Sequence, residues 1–118
     1  MKNYTKESST NQENKKNLTA SCSVNDTFSF LGRRWLMAIL YEVSLGHNQF
    51  SALLKKVPGV SEHMLASRID DLVKKDLIIK RPIENTIPVQ IVYSVTKKGA
   101  ELLSIAEVLN TWTRNWEN

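Results

Sequence analysis

Ser61, Glu62, His63, Ala66 and Ser67 bring hydroxyl, carboxylate, imidazole and methyl groups into one short run. A helix would hold them apart from the apolar set Leu65, Ile69, Leu72 and Val73. Groups of this kind suit base edges in a DNA major groove. Ser67 can bond to several bases, His63 can donate to a guanine acceptor, Glu62 can accept from cytosine N4, and the Ala66 methyl can meet thymine. Lys55, Lys56, Lys80 and Arg81 flank the run and could hold phosphates, together with the N–H groups near Ser61. Catalytic chemistry finds little support. His47 and His63 are the only histidines, no His/Cys/Asp/Glu spacing suits a metal, and no glycine-rich phosphate loop follows a strand. Ser61 and His63 would share one exposed helix start with no acid placed to orient them. No catalytic residue, metal or cofactor is expected.

The elements that must position these groups are legible around them. Ser61 is a good N-cap for a helix running to about Lys75. The period then changes. Residues 77–83 and 89–95 are rich in Ile and Val, and Glu84-Asn85-Thr86 can turn between them, giving a β-hairpin. Pro82 and Pro88 cannot donate to a ladder and suit its open end. Upstream, Phe50, Leu53, Leu54 and Val57 mark a short helix that Pro58-Gly59 ends in a tight turn. Helix, turn, helix and hairpin in that order describe a winged helix-turn-helix, a fold that is mostly α with a β-hairpin wing. A plain α+β core of the same size is the competing reading.

The 118 residues allow one domain with a modest core. A net charge of +4 and a pI near 9.3 fit a polyanionic partner without requiring one. The basic residues fall in doublets: Arg33-Arg34, Lys55-Lys56, Lys74-Lys75, Lys80-Arg81 and Lys97-Lys98. Each doublet is expected at an element end, able to complement a C-terminal dipole or reach a phosphate. One cysteine excludes an intrachain disulfide. No apolar run reaches the roughly 20 residues of a membrane span, and no signal-type segment is present. The expected location is the cytoplasm, on the nucleoid.

Residues 1–17 are polar and lack apolar periodicity, so they read as a disordered tail whose Lys2, Lys6, Lys15 and Lys16 could brush phosphates. Residues 18–118 form the expected domain. Val24, Thr27, Phe28 and Leu31 outline a short first helix beginning near Cys22, with Asn25 and Asp26 in its first turn. A second helix is expected from Arg33 to about Leu45, with Trp35, Leu36, Ile39, Leu40 and Val43 inward and Gly46 as its stop. His47, Asn48 and Gln49 follow, placed where they could donate to phosphate or simply form a loop. Thr96 caps a long last helix whose Leu102, Leu103, Ile105, Ala106, Val108, Leu109, Trp112 and Trp116 exceed one core-facing stripe. That surplus, with Phe28, Phe30 and Leu31, argues for a second copy of the chain, and a symmetric dimer would set two reading helices roughly 34 Å apart on a palindrome.

Gly59-Val60-Ser61, Met64-Leu65, Arg68-Ile69, Leu72, Leu77, Pro88, Tyr93-Ser94, Thr96 and Gly99 resemble the HxlR-type branch of the MarR-like transcriptional regulators. Cys22, Val24, Gly32-Arg33-Arg34-Trp35 and Phe50-Ser51-Ala52-Leu53 fit the same pattern, so the resemblance spans residues 22–112. It implies a DNA-binding regulator, a repressor on a palindromic operator, dimerising through the terminal helices: Phe28, Leu31, Leu102, Ile105, Leu109, Trp112 and Trp116. It also implies that Cys22 senses oxidants, quinones or aldehydes, its thiolate favoured if it lies at a helix N-terminus. An inert cysteine packed at the dimer helices is the other reading. Arg68 matches a family position and either contacts the DNA backbone or pairs with Asp71 or Glu62. The chain departs from its relatives at Gln90, where a basic residue is usual, at Val92 for an acid, at Asp76 for glycine and at Ser23 for proline. The wing tip carries no Lys or Arg, which leaves Asn85, Thr86 and Gln90 as its backbone contacts. The alternative function is a winged-helix module that binds another protein and not DNA.

Overall fold

The computed structural model describes residues 8–117, with side chains described from residue 20 onward. It divides into two compact units, residues 1–33 and 34–118. The first contains α1 (Ser8–Leu31). Helix therefore starts ahead of the expected position near Cys22 and takes in residues 8–17 of the expected tail; residues 1–7 of that tail lie outside the described residues. Gln12, Glu13, Lys15 and Lys16 are good helix formers, so a segment with no apolar stripe can still be helical. Asn25 and Asp26 are interior to α1, not in its first turn.

The second unit contains α2 (Leu36–Ser44), α3 (Phe50–Lys56), α4 (Glu62–Lys74), β1 (Ile78–Ile83), β2 (Gln90–Val95) and α5 (Lys97–Trp116). This is the winged helix-turn-helix that the pattern implied. β1 and β2 pair antiparallel, Ile78 opposite Val95 and Ile83 opposite Gln90. The core is Leu36, Ile39, Leu40, Leu53, Leu65, Leu72 and Ile78, all essentially without exposed surface, extended by Val43, Val57, Ile69, Leu77 and Tyr93. Among the described residues no polar or charged side chain other than the Tyr93 phenol is buried, and no helix is long and apolar enough to cross a membrane.

α2 begins at Leu36 and not at Arg33, because Trp35 takes a left-handed conformation at φ 76°. Trp35 is thus outside the helix and half-buried, where the sequence reading made it an inward residue of α2. Gly46 does end α2 as expected: its N–H bonds to the Val43 carbonyl, and the His47 N–H bonds to the Glu42 carbonyl. α4 closes with the same pair of bonds, Asp76 N–H to Val73 and Leu77 N–H to Leu72. Here Asp76 takes a left-handed place at φ 62°, a conformation that favours glycine. The joint is braced from α5. The Thr96 hydroxyl lies 2.6 Å from the Asp76 carbonyl and accepts from the Gly99 N–H, while Lys98 Nζ donates to the Lys75 carbonyl at 2.8 Å.

Two outcomes follow from this joint and from the buried phenol of Tyr93. Asp76→Gly relieves a left-handed L-residue and removes a negative charge from the α4 C-terminus, so it should stabilise by about 1 kcal/mol and raise Tm by about 5 °C in thermal unfolding. Burial pushes the Tyr93 phenol above its ordinary value of 10. The folded chain keeps that proton where the unfolded chain loses it, so this contribution to stability is full below pH 10 and falls as pH rises beyond it. Tyr93→Phe should therefore lose less stability than the parent between neutral pH and pH 11, as measured by denaturant midpoints.

Candidate nucleic-acid interface

The exposed face of α4 is set by its cap and its apolar stripe. The Ser61 hydroxyl accepts from the Met64 N–H at 3.0 Å, fixing the helix start. Leu65, Ile69 and Leu72 go inward, while Glu62, His63, Ala66 and Ser67 are all exposed on the N-terminal half. The preceding turn is held tightly. Gly59 has φ +93°, and a Cβ there would come 3.2 Å from the Trp35 ring, so the half-buried indole closes over the α3–α4 turn. This is the work of Trp35 in place of a seat inside α2.

Arg68 is committed within the chain. Its Nη1 lies 2.9 Å from an Asp71 carboxylate oxygen, and its Nε donates to the Arg34 carbonyl at 2.9 Å. The pairing with Asp71 is formed within α4, and the bond to the Arg34 carbonyl ties α4 to the segment before α2. Lys55 and Lys56 stand exposed at the end of α3, beside the turn. Lys80 and Arg81 are exposed in the middle of β1, not at an element end. Lys97 and Lys98 sit at the N-terminus of α5, where the helix dipole disfavours rather than favours cations. Lys74 pairs with Asp70 at 2.9 Å, and that partner raises its pKa above the ordinary lysine value. The Arg33 guanidinium lies over the Phe30 ring and that of Arg34 over Trp35, at 5.0 and 4.7 Å.

The wing is anchored by residues that the sequence reading assigned to DNA or to a loop. The Asn48 carbonyl accepts from the Tyr93 N–H at 2.8 Å, and Gln49 Nε2 donates to Gln90 Oε1 at 3.0 Å. His47 Nε2 lies 3.6 Å from a Glu42 carboxylate oxygen. At the tip, the Thr86 hydroxyl donates to the Ile83 carbonyl and accepts from the Gln90 N–H. Asn85 is exposed with φ 64°, and Ile87 is fully exposed. Gln49 and Asn48 as wing anchors were missed because their partners lie more than forty residues away in sequence, and no local pattern encodes such a pairing.

The apolar surplus on α5 is real and outward: Ile105, Val108, Trp112 and Trp116 are each more than half exposed, with Leu109 close behind. Leu102 is half-buried. On α1, Phe28 is half exposed and Leu31 half-buried. Cys22 is exposed and lies well inside α1, far from the helix start. A dipole effect on its thiol is thereby removed, since that effect is confined to the first turn.

The profile of the HxlR-like helix-turn-helix family matches residues 30–118. The chain belongs to that family. Among its relatives, MalR of Fusobacterium mortiferum, named as a regulatory protein, is 32% identical over 92 residues, covering 77% of this chain and 86% of MalR. The HTH-type transcriptional regulator YodB of Bacillus subtilis is 28% identical over 89 residues, 75% of this chain and 79% of YodB. The reduced form of YodB superposes with a TM-score of 0.71 at 24% identity, covering 80% of this chain and 91% of that one. Its quinone-bound form gives 0.67 at 22% identity, covering 80% and 98%. These likenesses show that the chain shares the fold of YodB.

The two anchors of Arg68 leave different atoms of one guanidinium holding α4 and the Arg34 segment at once. Arg68→Ala should cost about 1–2 kcal/mol in chemical denaturation, and Arg68→Lys should recover little of it, because an ammonium cannot span both acceptors.

Proposed function

We propose that this HxlR-like protein is a transcriptional repressor that binds duplex DNA sequence-specifically as a homodimer on a palindromic operator. The observation that carries this reading is the division of α4: Leu65, Ile69 and Leu72 of its apolar stripe are buried, while Glu62, His63, Ala66 and Ser67 stand exposed together behind the Ser61 cap. Those four read bases in the major groove. Lys55, Lys56, Lys80, Arg81 and the first N–H groups of α4 hold phosphates. Arg68 acts by fixing α4 through Asp71 and Arg34. The wing, lacking a cation at its tip, touches the backbone through Asn85, with Thr86 and Gln90 contributing what their tip and Gln49 contacts leave available. Dimerisation through Ile105, Leu109, Trp112 and Trp116 of α5, together with Leu102, Phe28 and Leu31, removes apolar surface from water. The work is done in the cytoplasm, on the nucleoid.

Cys22 is proposed as the site at which an oxidant, quinone or aldehyde acts. What supports it is the exposure of the thiol and the existence of quinone-bound and diamide-treated forms of the relative YodB. Exposure of the thiol on α1 is the physical basis of that reading.

Selection of genomic fragments with the purified protein, with and without a thiol oxidant, tests operator and response together. Replacing Lys80 and Arg81 by Ala should weaken binding to all sequences alike and flatten the salt dependence, whereas replacing His63 and Ser67 by Ala should relax preference at particular bases. Unchanged affinity and preference in both pairs would remove the groove assignment. Salt-insensitive, negligible affinity for any duplex would favour a protein-binding module. Cys22→Ser should abolish electrophile-dependent release while leaving operator affinity in reducing buffer unchanged.

A further inference from the structure

The lysine doublet at the start of α5 stands at the wrong end of its own helix, yet Lys98 is well matched to another one. Its Nζ lies 2.8 Å from the carbonyl of Lys75, the C-cap of α4, and that end of a helix carries partial negative charge. The next two carbonyls are held from α5 as well. The Thr96 hydroxyl donates to the Asp76 carbonyl at 2.6 Å, and the Thr96 N–H donates to that of Leu77 at 3.1 Å. Carbonyls that follow the last turn of a helix have no partner inside it, and here the cap and first turn of α5 supply three in succession.

The approach is close enough to need a glycine. A Cβ on Gly99 would collide with the Leu77 carbonyl oxygen and come 2.8 Å from a Val95 methyl group. Gly99 is buried and donates its N–H to the Thr96 hydroxyl, so the cap of α5 and the hold on α4 share one oxygen. Its single proton goes to Asp76 and a lone pair faces Gly99, which fixes the hydroxyl in one direction. Leu77 leads into β1 and Val95 ends β2, so the same turn of α5 meets the base of the wing.

α4 and α5 both pack on α2, but apolar burial is non-directional, whereas hydrogen bonds impose distances and angles. α5 continues unbroken to Trp116, and Gly99 and Trp112 lie about 20 Å apart along it. We propose that Thr96, Lys98 and Gly99 are positioning residues that set the separation of the two α4 helices across the dimer. They thereby set the half-site spacing that the protein accepts. This rests on the reading of the chain as a DNA-binding dimer joined through α5. In that dimer residues 105–116 hold the two copies together, and the angle at which α4 leaves the other end of α5 decides where its exposed face meets the duplex. One base pair moves a half-site by about 3.4 Å along the duplex and about 35° around it, so a loosened angle appears as tolerance of altered spacing. None of the three residues needs to touch DNA.

The test uses the full chain, the operator fragment it selects, and copies of that fragment with one base pair added or removed between half-sites. The parent should bind the altered spacings about tenfold or more weakly than the selected one. Thr96→Val, which keeps the volume and loses the hydroxyl, and Lys98→Met, which keeps the stem at an exposed position, should narrow that gap to about twofold. Thr96→Ser should restore it. The salt slope of Lys98→Met should stay that of the parent, because no phosphate contact is lost. Hydrogen exchange without DNA reports the joint by itself: amides 75–77 should exchange about tenfold faster in Thr96→Val and at parent rates in Thr96→Ser, with Ile39 and Leu40 unchanged as the sign of an intact fold. Lys98→Met carries the spacing test alone if Thr96→Val does not fold. Spacing discrimination retained in the folded variants, or a reduced salt slope in Lys98→Met, would overturn the proposal and leave DNA binding standing. A parent that binds every spacing alike would do the same, whereas a parent that binds no fragment would remove the underlying DNA reading and the proposal with it.

Discussion

Leu36, Ile39 and Leu40 have no accessible surface, and α3, α4, α5 and β2 all pack against the helix that carries them. α2 is thus the post around which residues 34–118 are arranged. Its burial orients α4: once Leu65, Ile69 and Leu72 are turned toward this core, the other side of α4 can face only solvent or a partner. The exposed set Glu62, His63, Ala66 and Ser67 is a consequence of that choice, not an independent feature.

Hydrophobic burial sets the direction in which α4 faces but not its exact tilt. The tilt is fixed by polar pins at each end. At the start are the Ser61 cap and the Trp35 ring over Gly59; midway, Arg68 reaches both Asp71 and the Arg34 carbonyl. At the far end, the Thr96 hydroxyl and Lys98 hold the carbonyls of residues 75–77. α5 is therefore joined to the end of α4 through its own N-cap. A short hydrogen-bonded link thus connects the helix that carries the exposed tryptophans to the end of α4.

Much of the site was legible from residue types alone. Ser61 and Thr96 are caps whose partners lie three residues ahead, and Leu65, Ile69 and Leu72 follow the helical period, so local rules sufficed. The start of α1 was misplaced because residues 8–17 have helix-forming residues but no apolar period to announce them. Trp35 was misplaced for another reason: its spacing matches the inward face of α2, but its left-handed backbone is stabilised by what it covers, the turn at Gly59, some two dozen positions on.

The order of elements, the two N-caps, the buried stripe of α4 and the apolar excess of α5 were written in the sequence, because each depends on periodicity or on neighbours within a turn or two. The fold alone decided that Arg68 is a brace, that Asn48 and Gln49 hold the wing, that Asp76 stands in for glycine, and that Cys22 sits inside a helix. These depend on which carbonyls and side chains happen to converge from distant stretches. Such convergence is set by packing around α2, and no local period carries a record of it.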